Sequence, residues 1–596
     1  MTGQSLTLVV AEVAHVQSYI FNSNRLKENV GASYLVASAT GLWAFEQLQV
    51  MNVSHNLTAD YDFKDDQRIE NGDVTVEVLY SGGGNFVALF AEKEQARDFI
   101  TRLSRKVLLS APNLHFVCHH TNFKWNEKGI CLSKLVGNVL TDLKAQRSQQ
   151  PIQYGLGGLG ITEMCASTQL PAVWLDKLGQ DDTLSPVSAE VIAKRQAAED
   201  ANKRLRDDLL TRNDYDFPNE LDNMGRTRDE ASQMAVVHAD GNGLGRIITD
   251  LFSRITDNRT YITLMRGFSQ RVKDLARDTQ QAMLARLIAN VEPDKTGQGR
   301  EISRHHSVAP ITLEKVKGES VKYYLPIRPL ISGGDDISFA CDARLALALS
   351  SHLIEVFEET SAPLMTWLYG AVKDLDEYKA LSDKEQTAIT PPRLTACAGI
   401  AIVNVHYPFS RAYELAEELC KSSKQERKRR DVRAGGLDWF EVTGGIYDDL
   451  HAMRERELSV GEGKSLTLRP IFHSAHEQPE TFRTWSYVER TATEFQGKWG
   501  THHSKAHDLR LTLRSGEPQE TTIYRVRYLT ASANKWKQGL PPYLPEHPQY
   551  EFHKKSGWLP ENEGGEVVYC GYFDALDIID LYFPLDNEKA VSDARV

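Results

Sequence analysis

The sequence predicts an α+β chain organised around a βαββαβ unit, and three observations carry that expectation. Residues 234–239 (MAVVHA) read as a short buried strand ending at Asp240. A glycine loop follows, and then Leu244, Ile247, Ile248, Leu251, Phe252 and Ile255 fall at helical spacing. Next, Leu325, Ile327 and Ile331 alternate into Ser332-Gly333-Gly334-Asp335-Asp336, and residues 337–341 leave as a second strand, which places both acids at a hairpin tip. Finally, a helical stripe (Leu345, Leu349, Leu353, Val356, Phe357), a buried strand at 394–405, a second stripe (Ala412, Leu415, Ala416, Leu419, Cys420) and a short strand at 437–442 complete the unit.

The chemistry follows from the residue types. Paired glycines let the chain turn sharply and let a large anion approach without a Cβ in the way. Adjacent carboxylates repel each other, and a divalent cation between them relieves that cost. A strand end, an acid, a glycine loop and a helix start together offer backbone N–H groups to phosphate. In a βαββαβ sheet the first strand neighbours the hairpin, so Asp240 is expected beside Asp335 and Asp336 despite their separation in sequence. Three carboxylates would then hold Mg²⁺ or Mn²⁺ against a nucleoside triphosphate. Gly241, Asn242, Gly243, Leu244, Gly245, Ser332, Gly333 and Gly334 are the expected phosphate-side residues. Lys424, near the end of the second helix stripe, is a candidate point charge for the β- or γ-phosphate. The plainer readings are a polar hairpin tip, a chance glycine loop and a solvated helix end. The two motifs occurring in order on the right elements favour the site.

ADGNGLG, SGGDD and CAGIAI followed by AYELAEELCKSSK resemble the palm of class III nucleotidyl cyclases and GGDEF proteins. They resemble more closely the second palm of the large polymerase–cyclase subunit of type III CRISPR effector complexes. That resemblance implies a first palm, and one is legible. Residues 6–11 (LTLVVA), a helical stretch over 31–50, alternating Val74, Val76 and Val78, the hairpin 80–90 (YSGGGNFVALF) and residues 115–118 repeat the same order. The segment HVQSYIFNSNRLKENVGASYLVAS also resembles the start of that first palm. Here Gly84 and Asn85 stand where the aspartate pair stands in the second copy, and Ser81, Gly82 and Gly83 are expected near a second nucleotide.

The resemblance therefore implies an α+β chain of two ferredoxin-like palm domains, a degenerate one at 1–150 and a catalytic one at 233–446. A helical, charged linker at 151–232 and a mostly helical C-terminal domain at 447–596 complete it. It implies a nucleotidyltransferase or cyclase that uses Mg-ATP to make a cyclic oligonucleotide of the oligoadenylate type in antiviral defence, with CRISPR-type subunits, or RNA through them, as partners. A cyclase making a cyclic mononucleotide and a weak or inactive nucleotide-binding scaffold subunit remain open. Three departures matter. The resemblance begins almost at Met1, and the His-Asp dipeptide His507-Asp508 lies in a basic helical stretch, so no HD nuclease is expected. Cys165 stands alone where the family often carries four cysteines, and no CxxC occurs, so no zinc is expected. Asn242 replaces a second aspartate common in relatives, which removes one charge near the metal.

Composition bounds the rest. A chain of 596 residues suits three or four domains. Seven scattered cysteines fit a reducing compartment, and no signal peptide or membrane-length apolar run is visible, so a cytoplasmic protein with no membrane contact is expected. The net charge of −12 argues against the chain gripping a long RNA by itself. The basic runs 424–433 and 510–514 read as solvated, 189–210 as an exposed helix, 292–320 as a surface loop or lid, and 539–548 as a Pro/Gly-rich loop.

Overall fold

The computed structural model describes residues 5–586 except 126, 128, 150–159, 179–182, 226–232, 304, 306–307, 319–320, 445–448, 462, 475, 477–481, 499–502, 516–557 and 561–567. The loop at 539–548 lies outside the described residues.

The first unit runs β1 (Ser5–Ala14), α1 (Val16–Phe21), α2 (Leu26–Thr40), α3 (Leu42–Val50), β2 (Val76–Gly82), β3 (Asn85–Phe90), α4 (Lys93–Ser110), β4 (His115–Lys124) and α5 (Leu132–Gln149). The helix expected over 31–50 is two helices, because the backbone leaves helical geometry at Gly41. The connecting region holds β5 (Trp174–Lys177), β6 (Leu184–Val187), α6 (Ala189–Leu209) and β7 (Tyr215–Asp216). Contrary to the sequence reading, α6 is not an exposed helix: it packs on α2, and Val191, Lys194, Ala198 and Ala201 are buried. The approach is so close that a Cβ on Gly31 would sit 1.7 Å from the Lys194 carbonyl oxygen. Lys194 is buried, and its ammonium donates to Glu190 at 2.6 Å and to Asn22 at 2.8 Å, which offsets the cost of burying the charge.

The second unit begins with β8 (Gln233–Asn242) and α7 (Leu244–Arg246). The single helix expected over 244–255 is instead α7, a π turn (Ile247–Leu251) and a 3₁₀ turn (Phe252–Arg254). Then comes α8 (Asn258–Ala289), a 32-residue helix that the motif reading passed over. Its start is marked by Asp257, whose side chain accepts the Thr260 N–H. The stretch expected as a surface loop or lid carries β9 (Val291–Pro293), β10 (Arg300–Ile302) and β11 (Ile311–Leu313), a small antiparallel sheet of its own, followed by β12 (Tyr323–Tyr324). The unit continues through β13 (Ile327–Gly333), β14 (Asp336–Asp342), α9 (Ala343–Val372), α10 (Asp376–Lys379), α11 (Asp383–Ile389), β15 (Thr395–Asn404), α12 (Phe409–Arg429) and β16 (Gly435–Glu441).

Strand order shows the duplication. The first sheet is β2-β3-β1-β4 and the second is β13-β14-β8-β15-β16-β18, so in both the unit's first strand lies between the hairpin and the later strand. Both hairpins also carry an irregularity at the same distance from the tip, between Val78 and Tyr80 and between Pro329 and Ile331. Beyond β16 lie α13 (Leu450–Leu458), β17 (Lys464–Ser465), β18 (Ile471–His473), α14 (Trp485–Lys498), α15 (His503–Arg514), β19 (Trp558–Pro560), β20 (Val568–Cys570) and a short α16 (Phe573–Asp577). Strand β18 extends the second unit's sheet, and Trp485 packs edge-on against Trp439 and Tyr582, which ties the C-terminal region to that unit.

Helix α8 joins the two units. Arg259 pairs with Glu70 and Glu77, and Arg266 pairs with Glu77 and Asp65 while donating to the Val78 carbonyl. Ser269 lies against Gly82 and Val272, one turn on, against Gly334, so one helix runs beside both hairpin tips. On the other side Phe21 of α1 stacks on Tyr413 and Phe409 of α12, with ring centroids 4.0 and 5.6 Å apart. Among the described residues no helix is long and apolar enough to cross a membrane.

Candidate metal centre

Strands β8 and β14 run antiparallel with Asp240 opposite Asp336 and His238 opposite Ser338. Side chains alternate along a strand, so 238 and 240 share a face and their partners share it with them. One ligand atom from each of His238, Asp240 and Asp336 falls within 4.8 Å of the others. Asp335 occupies the hairpin turn beside Gly334, whose φ of +69° suits glycine. The Asp335 backbone carbonyl accepts the Gly241 N–H at 3.2 Å, but its carboxylate is not a member of the three-residue group. His238 was not among the sequence candidates. The available signal was its position two residues before Asp240 on the same strand.

Electrostatics mark the cluster. Burial, then the neighbouring charges of Asp240 and Asp335, push the Asp336 carboxyl up to about 7. Burial and the Asp240 charge also raise Asp335. Burial pulls His238 down to about 4, which leaves a neutral imidazole at neutral pH. Helix α12 runs on to Arg429, so Lys424 is not the solvated helix end of the plainer reading. Its ammonium pairs with Asp240 and donates to the Gly241 carbonyl at 3.1 Å. Burial opposes its charge most strongly, but the Asp240 charge and hydrogen bond, with smaller neighbouring contributions, together raise its pKa.

The loop residues are placed as follows. A Cβ on Gly241 would come within 2.6 Å of Leu244 and 2.9 Å of Phe357, which explains the glycine by packing. Gly243, at φ +96°, precedes α7, and Leu244 is buried; the helix start expected to receive phosphate at 243–245 is a three-residue helix leading into the π turn. The Asn242 amide donates to Thr395 Oγ1 at 3.0 Å across to β15. Ser332 Oγ accepts from Gln280 of α8 at 2.6 Å, with Gly333 paired opposite Asp336. In the first unit Ser81 donates to the Thr40 carbonyl at 2.7 Å, and Gly82 and Gly83 form the tip. There Glu12 stands opposite Asn85 as Asp240 stands opposite Asp336, so a carboxylate persists on the first unit's central strand although its hairpin acids are absent. Cys165 packs with Leu178, Val187 and Val191 in a small apolar cluster.

A divalent cation fits this donor set. Two carboxylates and a neutral imidazole converge, and burial followed by the charges of Asp240 and Asp335 raises the Asp336 pKa, a cost that a bound cation would relieve. Residues 233–433 match the family described as Cas10/Cmr2, second palm domain. No curated protein matches the sequence. Solved structures similar to the chain include the Csm1-Csm4 cassette in complex with one ATP (12% identity, 97% of this chain and 70% of that one, TM-score 0.44). They also include the same cassette in complex with cA4 (11%, 97% and 70%, 0.43) and the Csm1-Csm4 subcomplex in the type III-A CRISPR-Csm interference complex (12%, 99% and 70%, 0.43). Likeness at that level carries no argument of its own. The match coincides with the β8–α12 unit that holds the acidic cluster, so this unit is similar to the Cas10/Cmr2 second palm domain.

Proposed function

We propose that the chain is a nucleotide-polymerising and cyclising subunit of a type III CRISPR-like effector complex. In this reading two ferredoxin-like palm units pack together, and the second joins Mg- or Mn-ATP into a cyclic oligoadenylate-type signal for antiviral defence in the cytoplasm. Protein subunits, and RNA through them, are its partners. The supporting observation is the meeting of Asp240 and Asp336 across two adjacent strands, with Lys424 on the same carboxylate.

Asp240 and Asp336 would hold the ion, with Asp335 at the turn contributing negative potential. A divalent ion bound there supplies polarisation of the α-phosphate and a lowered pKa for the attacking ribose hydroxyl. Lys424 balances the charge of Asp240 and stands at the edge where a triphosphate tail would lie. Gly241, by admitting no side chain between Leu244 and Phe357, keeps the Asp240 strand end pressed to the hairpin turn. The first unit, with Gly84 and Asn85 at its hairpin, would present the second nucleotide near Ser81, Gly82 and Gly83. Asn242 favours a second reading, a nucleotide-binding scaffold with weak turnover, because its amide is tied to Thr395 and supplies no charge.

The test is incubation of the full chain, with candidate partner subunits and target RNA, with each of four triphosphates and Mg²⁺ or Mn²⁺, followed by mass spectrometry. Cyclic oligoadenylates from ATP, lost in Asp240→Asn and Asp336→Asn, are expected. A 3′,5′-cyclic mononucleotide as sole product replaces the oligomer reading. No turnover under any condition, or turnover indifferent to both substitutions, overturns the enzyme.

A further inference from the structure

We propose that His238 is the nitrogen ligand of this metal centre and that Tyr413, braced by the first unit, is the positioning residue that sets its imidazole. The proposal rests on the metal-centre reading of Asp240 and Asp336 and adds to it a ligand, a support and a metal preference.

The strand period puts His238 on the same face as Asp240, two register pairs further from the hairpin than the Asp240–Asp336 pair. Its side chain is buried beneath the two carboxylates, with a ring nitrogen inside the same 4.8 Å group. The ring has two hydroxyl partners outside the ligand set. Its Nδ1 lies 3.0 Å from Ser338 Oγ and 3.3 Å from the Tyr413 hydroxyl. Histidines that bind metals characteristically engage their second ring nitrogen in such a hydrogen bond, which fixes the tautomer and leaves the other nitrogen's lone pair for the ion. The two carboxylates on the same face are what distinguish this histidine from a buried one satisfied by hydroxyls alone.

Tyr413 belongs to α12, and its ring stacks on Phe21 of α1 at 4.0 Å with an interplanar angle of 26°. The first unit therefore braces the residue that orients the second unit's imidazole. An imidazole is a softer donor than carboxylate or water, so its presence shifts preference from Mg²⁺ toward Mn²⁺ and, further along the affinity order, Co²⁺.

The decisive measurement is pulsed electron paramagnetic resonance on the full chain loaded with Mn²⁺. Modulation from an imidazole nitrogen is expected in the unsubstituted protein, so the result does not depend on any variant folding. His238→Ala is expected to abolish that modulation and to weaken Co²⁺ binding by about tenfold or more, with a smaller effect on Mg²⁺. Tyr413→Phe keeps the ring on Phe21 and is expected to keep the modulation while weakening Co²⁺ binding by about tenfold. Bound Mn²⁺ with no imidazole modulation, together with loss of binding in Asp336→Asn, overturns His238 as ligand and leaves the metal centre standing. Mn²⁺ binding unchanged in Asp336→Asn overturns the metal centre itself. Unchanged Co²⁺ affinity in Tyr413→Phe overturns the positioning role.

Discussion

Glu77 of the first unit is held by two arginines of helix α8. Its carboxylate meets Arg259 Nη1 at 2.7 Å and Nη2 at 2.9 Å, meets Arg266 Nη2 at 2.9 Å, and accepts the Ile69 N–H at 3.0 Å. It is fully buried. Removing one partner of a buried ion pair costs about 3–5 kcal/mol, because the opposite charge is left without compensation. Here Arg259 keeps Glu70, whereas Arg266 keeps the Val78 carbonyl and Asp65, a carboxylate that is largely exposed. Glu77→Ala is therefore expected to cost about 3–5 kcal/mol, with the larger share falling on Arg266. Glu77→Gln retains shape and one acceptor, so about 2–3 kcal/mol is expected, the scale of one or two hydrogen bonds to charged groups. A chain of this size does not unfold in one step, so the assay is hydrogen exchange under rising urea, read at β2 and α8. A loss below about 1 kcal/mol in Glu77→Ala, or one that vanishes in about 1 M salt, would mean that the pair behaves as a screened surface contact, and the reasoning fails.

The same residue makes a pH prediction. Burial favours the neutral acid most strongly, but the Arg259 hydrogen bonds and charge, the Ile69 N–H and the Arg266 charge together hold Glu77 below the usual carboxylate range. The unfolded chain then binds the proton more readily, so this stabilisation is complete above the ordinary Glu value of about 4.3 and is lost as pH falls through the folded one. Exchange protection of α8 should drop as the pH falls below about 4.3, and Glu77→Gln should flatten that drop. At the acidic cluster, Asp336→Asn should lower Mn²⁺ affinity at least tenfold more than Asp335→Asn by titration calorimetry, on the order expected for a ligand against a neighbour; equal losses would place Asp335 among the ligands. Gly399→Ala would set a Cβ 2.0 Å from the Ala416 carbonyl oxygen and 2.3 Å from the Cys420 nitrogen. Both are backbone atoms of α12, so the helix must shift, and a cost of about 3 kcal/mol is expected as reduced soluble yield and a lower melting temperature.

Much of the fold was legible because it depends on local pattern. The buried run at 234–239, the alternation of Leu325, Ile327 and Ile331, the glycine pair at 333–334 and the second stripe at 412–420 each name an element, and the order of elements fixes neighbours in a βαββαβ sheet. That order alone put Asp240 beside the hairpin acids. Helix α8 was equally readable, from Tyr261, Met265, Phe268, Val272 and Leu275 behind the Asp257 cap; attention to the motifs on either side passed over it. Helix α6 shows the opposite case. Its narrow stripe of small residues looks solvated, yet small residues are what allow another backbone to approach, and Gly31 on α2 receives it.

What the chain order alone determined is therefore the repeated strand–hairpin scaffold and the meeting of residues 240 and 336, since both follow from periodicity and topology. Only the folded molecule decided which atoms converge: that Asp335 turns out of the group, that His238 enters it, that Lys424 neutralises Asp240, and that Tyr413 and Phe21 carry the first unit to that spot. Those choices are made by side-chain partners on distant elements, and no local spacing records the partner.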